Sequence, residues 1–127
     1  MRNSLLVALC CFVITTMAFS QKKGKEITVT GEVVETQCYV TGLTGPGKGA
    51  SHKECALTCA KNGIPLAILE DATNTLFVAG QTKTSQTGAN GMLMEYVADK
   101  VKATGRVYEK GGVKMIILSK VDRVLTR

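Results

Sequence analysis

The stretch Ile27-Thr28-Val29-Thr30-Gly31-Glu32-Val33-Val34-Glu35-Thr36 alternates apolar and polar residues and is rich in β-branched types. Successive side chains of a strand point to opposite faces, so this pattern predicts a half-buried strand. Its Thr-Gly-Glu-Val centre has a counterpart near the end of the chain, Thr104-Gly105-Arg106-Val107, inside a second alternating run from Val101 to Tyr108. Glycines placed this way let a barrel strand coil sharply. Glu109-Lys110-Gly111-Gly112 follows as a hairpin turn, with glycines to supply positive φ. Val113 to Val124 is the last strand, most apolar at Met115-Ile116-Ile117-Leu118.

Between these ends, Leu66-Ala67-Ile68-Leu69 and Leu76-Phe77-Val78-Ala79 form a further strand pair around the polar turn Glu70-Asp71-Ala72-Thr73-Asn74. Val40 to Gly49 holds four glycines and Pro46 and reads as a loop. Ser51 with Glu54 three residues on has the capping-box pattern. A short helix is therefore expected from about His52 to Lys61, ending at Asn62-Gly63 before Pro65. Met92 to Val97 reads as a second short helix. Five strands with a helix between the third and fourth is the order of an OB-fold barrel. The expected fold is mostly β: a small OB-fold-like five-stranded barrel, with a Cys/His-bearing loop and short helix inserted after strand 1. A small β-sandwich is the alternative.

The first twenty residues have a separate purpose. Arg2 is the only charge before an apolar run from Leu5 to Met17, and Ala18-Phe19-Ser20 offers small residues at the positions a signal peptidase reads. The run is short for a membrane span. Cys10 and Cys11 follow Leu9, too bulky for a lipoprotein cleavage site. The chain is thus expected to divide into a signal peptide at 1–20, cleaved near Ser20, a flexible lead-in at 21–26, and one domain at 27–127. That predicts a periplasmic or secreted protein with no membrane span after processing.

Cleavage would leave 15 of the 16 Lys+Arg against 10 Asp+Glu, a balance of +5, with three of the five cysteines and the single His52. The modest positive charge fits a soluble basic surface. The aromatics beyond the leader are Tyr39, Phe77, Tyr96 and Tyr108, a thin supply for stacking bases, and no nucleic-acid partner is expected.

Cys38, His52, Cys55 and Cys59 carry the candidate chemistry. On one continuous helix, His52, Cys55 and Cys59 lie at i, i+3 and i+7, a single face. The glycine loop is long enough to bring Cys38, at the end of the first strand, over that face. Three thiolates and an imidazole match the ligand count of a structural zinc site, and the sulfurs equally suit copper as Cu(I). The competing reading is a disulfide from Cys38 to Cys55 or Cys59 in an oxidising compartment, with one thiol left over. Inert buried thiols are a third.

The run Cys38-Tyr39, then His52-Lys53-Glu54-Cys55-Ala56-Leu57-Thr58-Cys59-Ala60, then Gly63-Ile64-Pro65-Leu66 resembles a group of small exported bacterial proteins. That group has a Cys-aromatic pair, an H-x-x-C-A-x-x-C helix and a G-x-P-L step into a strand. The resemblance covers about residues 27 to 125. The group is functionally uncharacterised, so the resemblance implies no activity.

Other motifs weigh less. Gly42-Leu43-Thr44-Gly45-Pro46-Gly47-Lys48 imitates a P-loop, but Gly49 stands where Ser or Thr must hold Mg²⁺. Met92 and Met94 could add soft ligands, though such spacing is usual for core filling. Glu32, Glu35, Glu70, Asp71, Glu95 and Asp99 pair with nothing recognisable as an acid/base couple, and no enzyme is expected. The expectation is an exported binding module for a metal ion, with a protein or small-molecule partner unidentified. A thiol-redox or disulfide-stapled protein, and an oligosaccharide- or polyanion-binding OB module, are the alternatives.

Overall fold

A computed structural model describes residues 24–82 and 88–125. The expected leader, and residues 21–23 of the lead-in, lie outside the described residues. Strand β1 (Lys25–Glu35) leads into a short helix α1 (Thr36–Thr41), a 3₁₀ turn at Ala50–His52, and helix α2 (Lys53–Lys61). Strands β2 (Leu66–Glu70), β3 (Leu76–Gly80), β4 (Lys100–Lys110) and β5 (Val113–Arg123) follow. They close into a barrel in the order β1-β2-β3-β5-β4. Neighbours are antiparallel except β3 and β5, whose parallel pairing runs from Phe77↔Lys114 to Gly80↔Ile117 and closes the wall. The expected OB-like barrel with its insertion after strand 1 is the observed architecture.

β1 closes the other side because it is long enough to serve two neighbours. Residues 25–32 pair with β4 and residues 31–35 with β2, so Gly31 lies opposite both Val101 and Glu70. A Cβ on Gly31 would run into the Leu69 carbonyl. Gly105 is pressed against the Ile117 carbonyl in the same way, and the β4–β5 register shifts between Thr104 and Gly105. The two Thr-Gly steps therefore mark the points where the wall bends most tightly.

Alternation along the strands fills the interior. Val29, Val33, Leu66, Ile68, Phe77, Val101, Ala103 and Ile116 are buried inside, joined by Leu93 and Val97 from the β3–β4 connection. Ala56 and Ala60, one turn apart on α2, press the helix onto this core. A smaller cluster on the outer wall, Val34, Ala67 and Leu69, is packed with Tyr39 of α1 and with Leu76 and Val78. None of the described helices is long and apolar enough to cross a membrane.

Four local expectations are corrected. The strand begins at Lys25, so Lys25 and Glu26 belong to the barrel rather than to a lead-in. The loop expected from Val40 starts later, because residues 36–41 wind into α1 and stop at Gly42, whose φ is +64°. Ser51 does not cap α2: it lies within the 3₁₀ turn, and the residue at the cap is His52, with no side-chain cap bond. The segment at 92–97 is not one helix but two 3₁₀ turns, Ala89–Met92 and Met94–Tyr96. Leu93 and Val97 are drawn into the barrel end and Ala98 takes a positive φ of 64°, leaving no room for a continuous helix. Met94 packs on the core as expected, whereas Met92 is exposed.

Candidate metal centre

The site is built on the β1–β2 connection. β1 reaches the barrel rim with Val29, Gly31, Val33 and Glu35 all buried at alternate positions. The inward alternation therefore delivers a carboxylate, fully buried, to the rim. Glu35 turns this into a helix start. Its Oε1 accepts from the Gln37 N–H and its Oε2 from the Cys38 N–H at 2.9 Å. These are two of the donors that a helix N-terminus leaves unpaired. Cys38 is thereby held in the first turn of α1, not at the end of a strand.

The chain then folds back over α1. The backbone of Gly47 lies against Cys38 and Tyr39 so closely that a Cβ there would overlap them, and its φ is +63°. The Gly49 N–H donates to Glu32 Oε1 on β1, and the His52 N–H to the Gly49 carbonyl at 3.0 Å. The far end of α2 is equally tied. Ile64 N–H donates to Cys59 O and Gly63 N–H to Ala60 O, each at 3.1 Å, the Schellman arrangement with Gly63 at φ +93°. The buried Asn90 side chain fastens that end to the barrel. Its Nδ2 donates to Ala60 O at 3.2 Å and Ile64 O at 2.7 Å, and its Oδ1 accepts from the Leu66 N–H at 2.8 Å.

These constraints bring the four expected residues together, and a fifth with them. The sulfurs of Cys38, Cys55 and Cys59 lie within 4.8 Å of one another. Glu35, Cys38 and His52 form a second group of the same span, so Cys38 belongs to both. His52 stands with Cys38 and Glu35 because it belongs to the 3₁₀ turn before α2. The i, i+3, i+7 face assumed an unbroken α-helix, and the tighter 3₁₀ winding rotates His52 off that line. Cys55 and Cys59, both within α2, keep their common face beside Ala56 and Ala60.

The three thiols are free, with no disulfide between them. They differ in surroundings: Cys38 is 6% exposed, and Cys55 and Cys59 are half-buried. Hydrogen bonding to Glu35, together with burial and the Glu35 charge, pushes the Cys38 thiol up from 9.0 to about 12, against a lowering contribution from Thr44. Loss of water and then the charges of Cys55 and Glu35 push Cys59 upward as well. One buried polar side-chain atom among the described residues lacks a hydrogen-bond partner, His52 Nε2. An unsatisfied buried nitrogen costs about 1–3 kcal/mol, and its residue belongs to a group of metal-type donors.

Glu35 and Asn90 are the residues that sequence reasoning missed. Strand alternation carried the signal for Glu35, which shares parity with Val29 and Val33. Nothing local marked Asn90. No family model, curated protein or solved structure matches the chain.

Proposed function

We propose that the chain is an exported, non-enzymatic binding module that handles a thiophilic transition metal, zinc or copper, at Cys38, Cys55, Cys59 and His52. The observation that carries this reading is the shared position of Cys38. It closes a three-sulfur group on one side and, on the other, stands beside a buried imidazole whose Nε2 has no partner. Soft donors held this close together suit zinc or Cu(I). The order around them supports the reading too. Glu35 fixes Cys38, a Schellman end and Asn90 fix α2, and Glu32 fixes the returning loop.

The test is elemental analysis with thiol counting on the full protein taken from its own compartment. The expected result is bound metal and thiols that become reactive only when a chelator is added. One disulfide, one free thiol and no metal would instead establish the thiol-redox reading. Intact mass of the same sample addresses export: a chain beginning at Gln21 is expected, and a retained Met1–Ser20 segment would contradict it. An oligosaccharide- or polyanion-binding role is less favoured. The outer wall at β1–β2 carries an apolar cluster packed under Tyr39 rather than an open polar surface.

A further inference from the structure

We propose that the ion handled by this site is Cu(I), carried as cargo by the three thiolates of Cys38, Cys55 and Cys59, with His52 positioning Cys38 rather than ligating. This rests on the metal-binding reading above, replaces the ligand role that reading gives His52 with a positioning one, and names the ion and its exchange.

The donor set comes first. The group that includes both α2 cysteines contains sulfur alone, three atoms within 4.8 Å. A soft, closed-shell monovalent ion is satisfied by three thiolates. A resident zinc ion calls for four ligands in a tetrahedron. The His52 imidazole groups with Glu35 and Cys38 and not with the two α2 sulfurs, so it would have to move closer to them to complete such a tetrahedron.

The second argument is the unpartnered His52 Nε2. A neutral thiol is a poor hydrogen-bond acceptor, whereas a thiolate is a good one. When Cys38 gives up its proton and binds the ion, its thiolate offers a good acceptor to an N–H of the His52 imidazole beside it. Donors of this kind, one shell out from the ion, orient a ligand and hold its charge.

The third argument is access. Cys38 is the buried anchor, while Cys55 and Cys59 are half-buried on an α2 face next to solvent. A permanent structural ion has its coordination shell filled by four protein ligands, whereas three sulfurs leave a position that an outside ligand can take. Here an incoming thiol can reach the ion from the α2 side. Its sulfur forms a bond to copper as the Cu–Sγ bond of Cys59 breaks. The proton released by the incoming thiol passes through water to the freed Cys59 thiolate. Copper remains monovalent throughout, so the exchange needs no oxidant or reductant.

The experiment loads the full protein with Cu(I) without oxygen. It reads stoichiometry by competition with a Cu(I)-selective chelator and the metal's ligand shell by X-ray absorption. One equivalent of Cu(I) in a shell of three sulfurs is expected. Cys59→Ser should lose the three-sulfur shell. His52→Ala should keep one equivalent and the same shell while affinity falls by about tenfold. His52→Gln, which restores an N–H donor without an imidazole, should recover most of that loss. An imidazole nitrogen in the Cu(I) shell, or failure of the glutamine to rescue, would overturn the proposal. Tight Zn(II) binding with Cu(I) refused would end the copper assignment and leave the metal-binding reading intact. Binding of neither ion would remove both.

Discussion

The barrel wall and the β1–β2 connection obey different rules. In the wall, long strands repeat one contact many times: apolar residues turn inward at alternate positions, and long ladders join β1 to β4 and β4 to β5, the second with one register shift at Thr104/Gly105. In the connection, residues 36–65, each turn depends on one particular group: Glu35 at the start of α1, Gly47 beneath Tyr39, Glu32 under Gly49, Asn90 at the end of α2. The wall is stabilised by distributed burial and survives many small changes. The connection is a set of single polar contacts around a thiol cluster, and each failure there is local. The candidate metal site thus sits on the insertion, joined to the wall through Ala56 and Ala60 of α2 and the Asn90 side chain.

The largest effect should come from the wall. Leu66 is fully buried, and truncating such a side chain to alanine costs about 2–5 kcal/mol. Leu66→Ala should lower the denaturant midpoint of the whole domain in a single transition. A separate early transition confined to residues 36–65 would break the comparison, because Leu66 would then belong energetically to the insertion.

Asn90→Ala should be smaller and differently distributed. It takes the Asn90 partner from the Ile64 carbonyl and the Leu66 N–H, at about 1–3 kcal/mol for a buried group, while the Ala60 carbonyl keeps the Gly63 N–H. Hydrogen exchange should quicken at the end of α2 and around Ile64 while the amides of β4 and β5 keep their protection. Metal affinity should drop with it, since α2 carries two of the three sulfurs. Uniform loss of protection would mean that the latch holds the barrel itself.

A pH series sharpens the same division. Hydrogen bonding to Glu35 and burial favour the protonated Cys38 thiol, raising it from 9.0 to about 12. A group whose folded pKa is raised contributes stability in full below its unfolded value and loses it as pH climbs through the folded one. The metal-free protein should therefore weaken between pH 9 and pH 12, a slope that Cys38→Ser reduces to the part contributed by Cys59 and Tyr96, which are also raised. Metal uptake should show the opposite trend and strengthen as pH rises, because the ion displaces that proton. Chelator-treated and loaded samples melted side by side across this range provide the check. Equal slopes for the native protein and Cys38→Ser would detach Cys38 from the effect.

The smallest change belongs on the outer surface of the wall. Lys114 and Glu109 form an ion pair at 2.8 Å across the β4–β5 hairpin, Glu109 exposed and Lys114 partly so. Such pairs contribute about 0–1 kcal/mol. Lys114→Ala should leave melting and metal binding nearly unchanged, and a large loss at this position would show that the hairpin holds more of the fold than its exposure implies.

Much of the wall was legible from local sequence. Period-two alternation identifies β1 and β4, Gly111-Gly112 identifies the hairpin from β4 to β5, and the two Thr-Gly steps identify the bends. The insertion was legible only as an inventory. Cys38, His52, Cys55 and Cys59 could be named as a cluster, and Asn62-Gly63 as the helix end, because those signals are short-range. The expected Ser51 cap and the helix at 92–97 failed for a shared reason: in both places distant packing sets the local winding. Residues 50–52 are drawn into a 3₁₀ turn by the loop returning over α1, and residues 89–96 by the burial of Leu93 and Val97.

The sequence by itself determined that alternating strands would form a curved, closed sheet and that three thiols and one imidazole would lie on its first long connection. Side-chain parity and residue chemistry are properties of the chain read a few residues at a time. Only the tertiary structure decided that Cys38 is shared between two donor groups, that Glu35 is buried beside it, and that His52 stands apart from Cys55 and Cys59. Those relations depend on the angle at which a 3₁₀ turn meets α2 and on a latch from Asn90, 24 residues beyond Leu66, whose N–H it accepts. Contacts at such separations follow from the packing of whole elements, which no local pattern encodes.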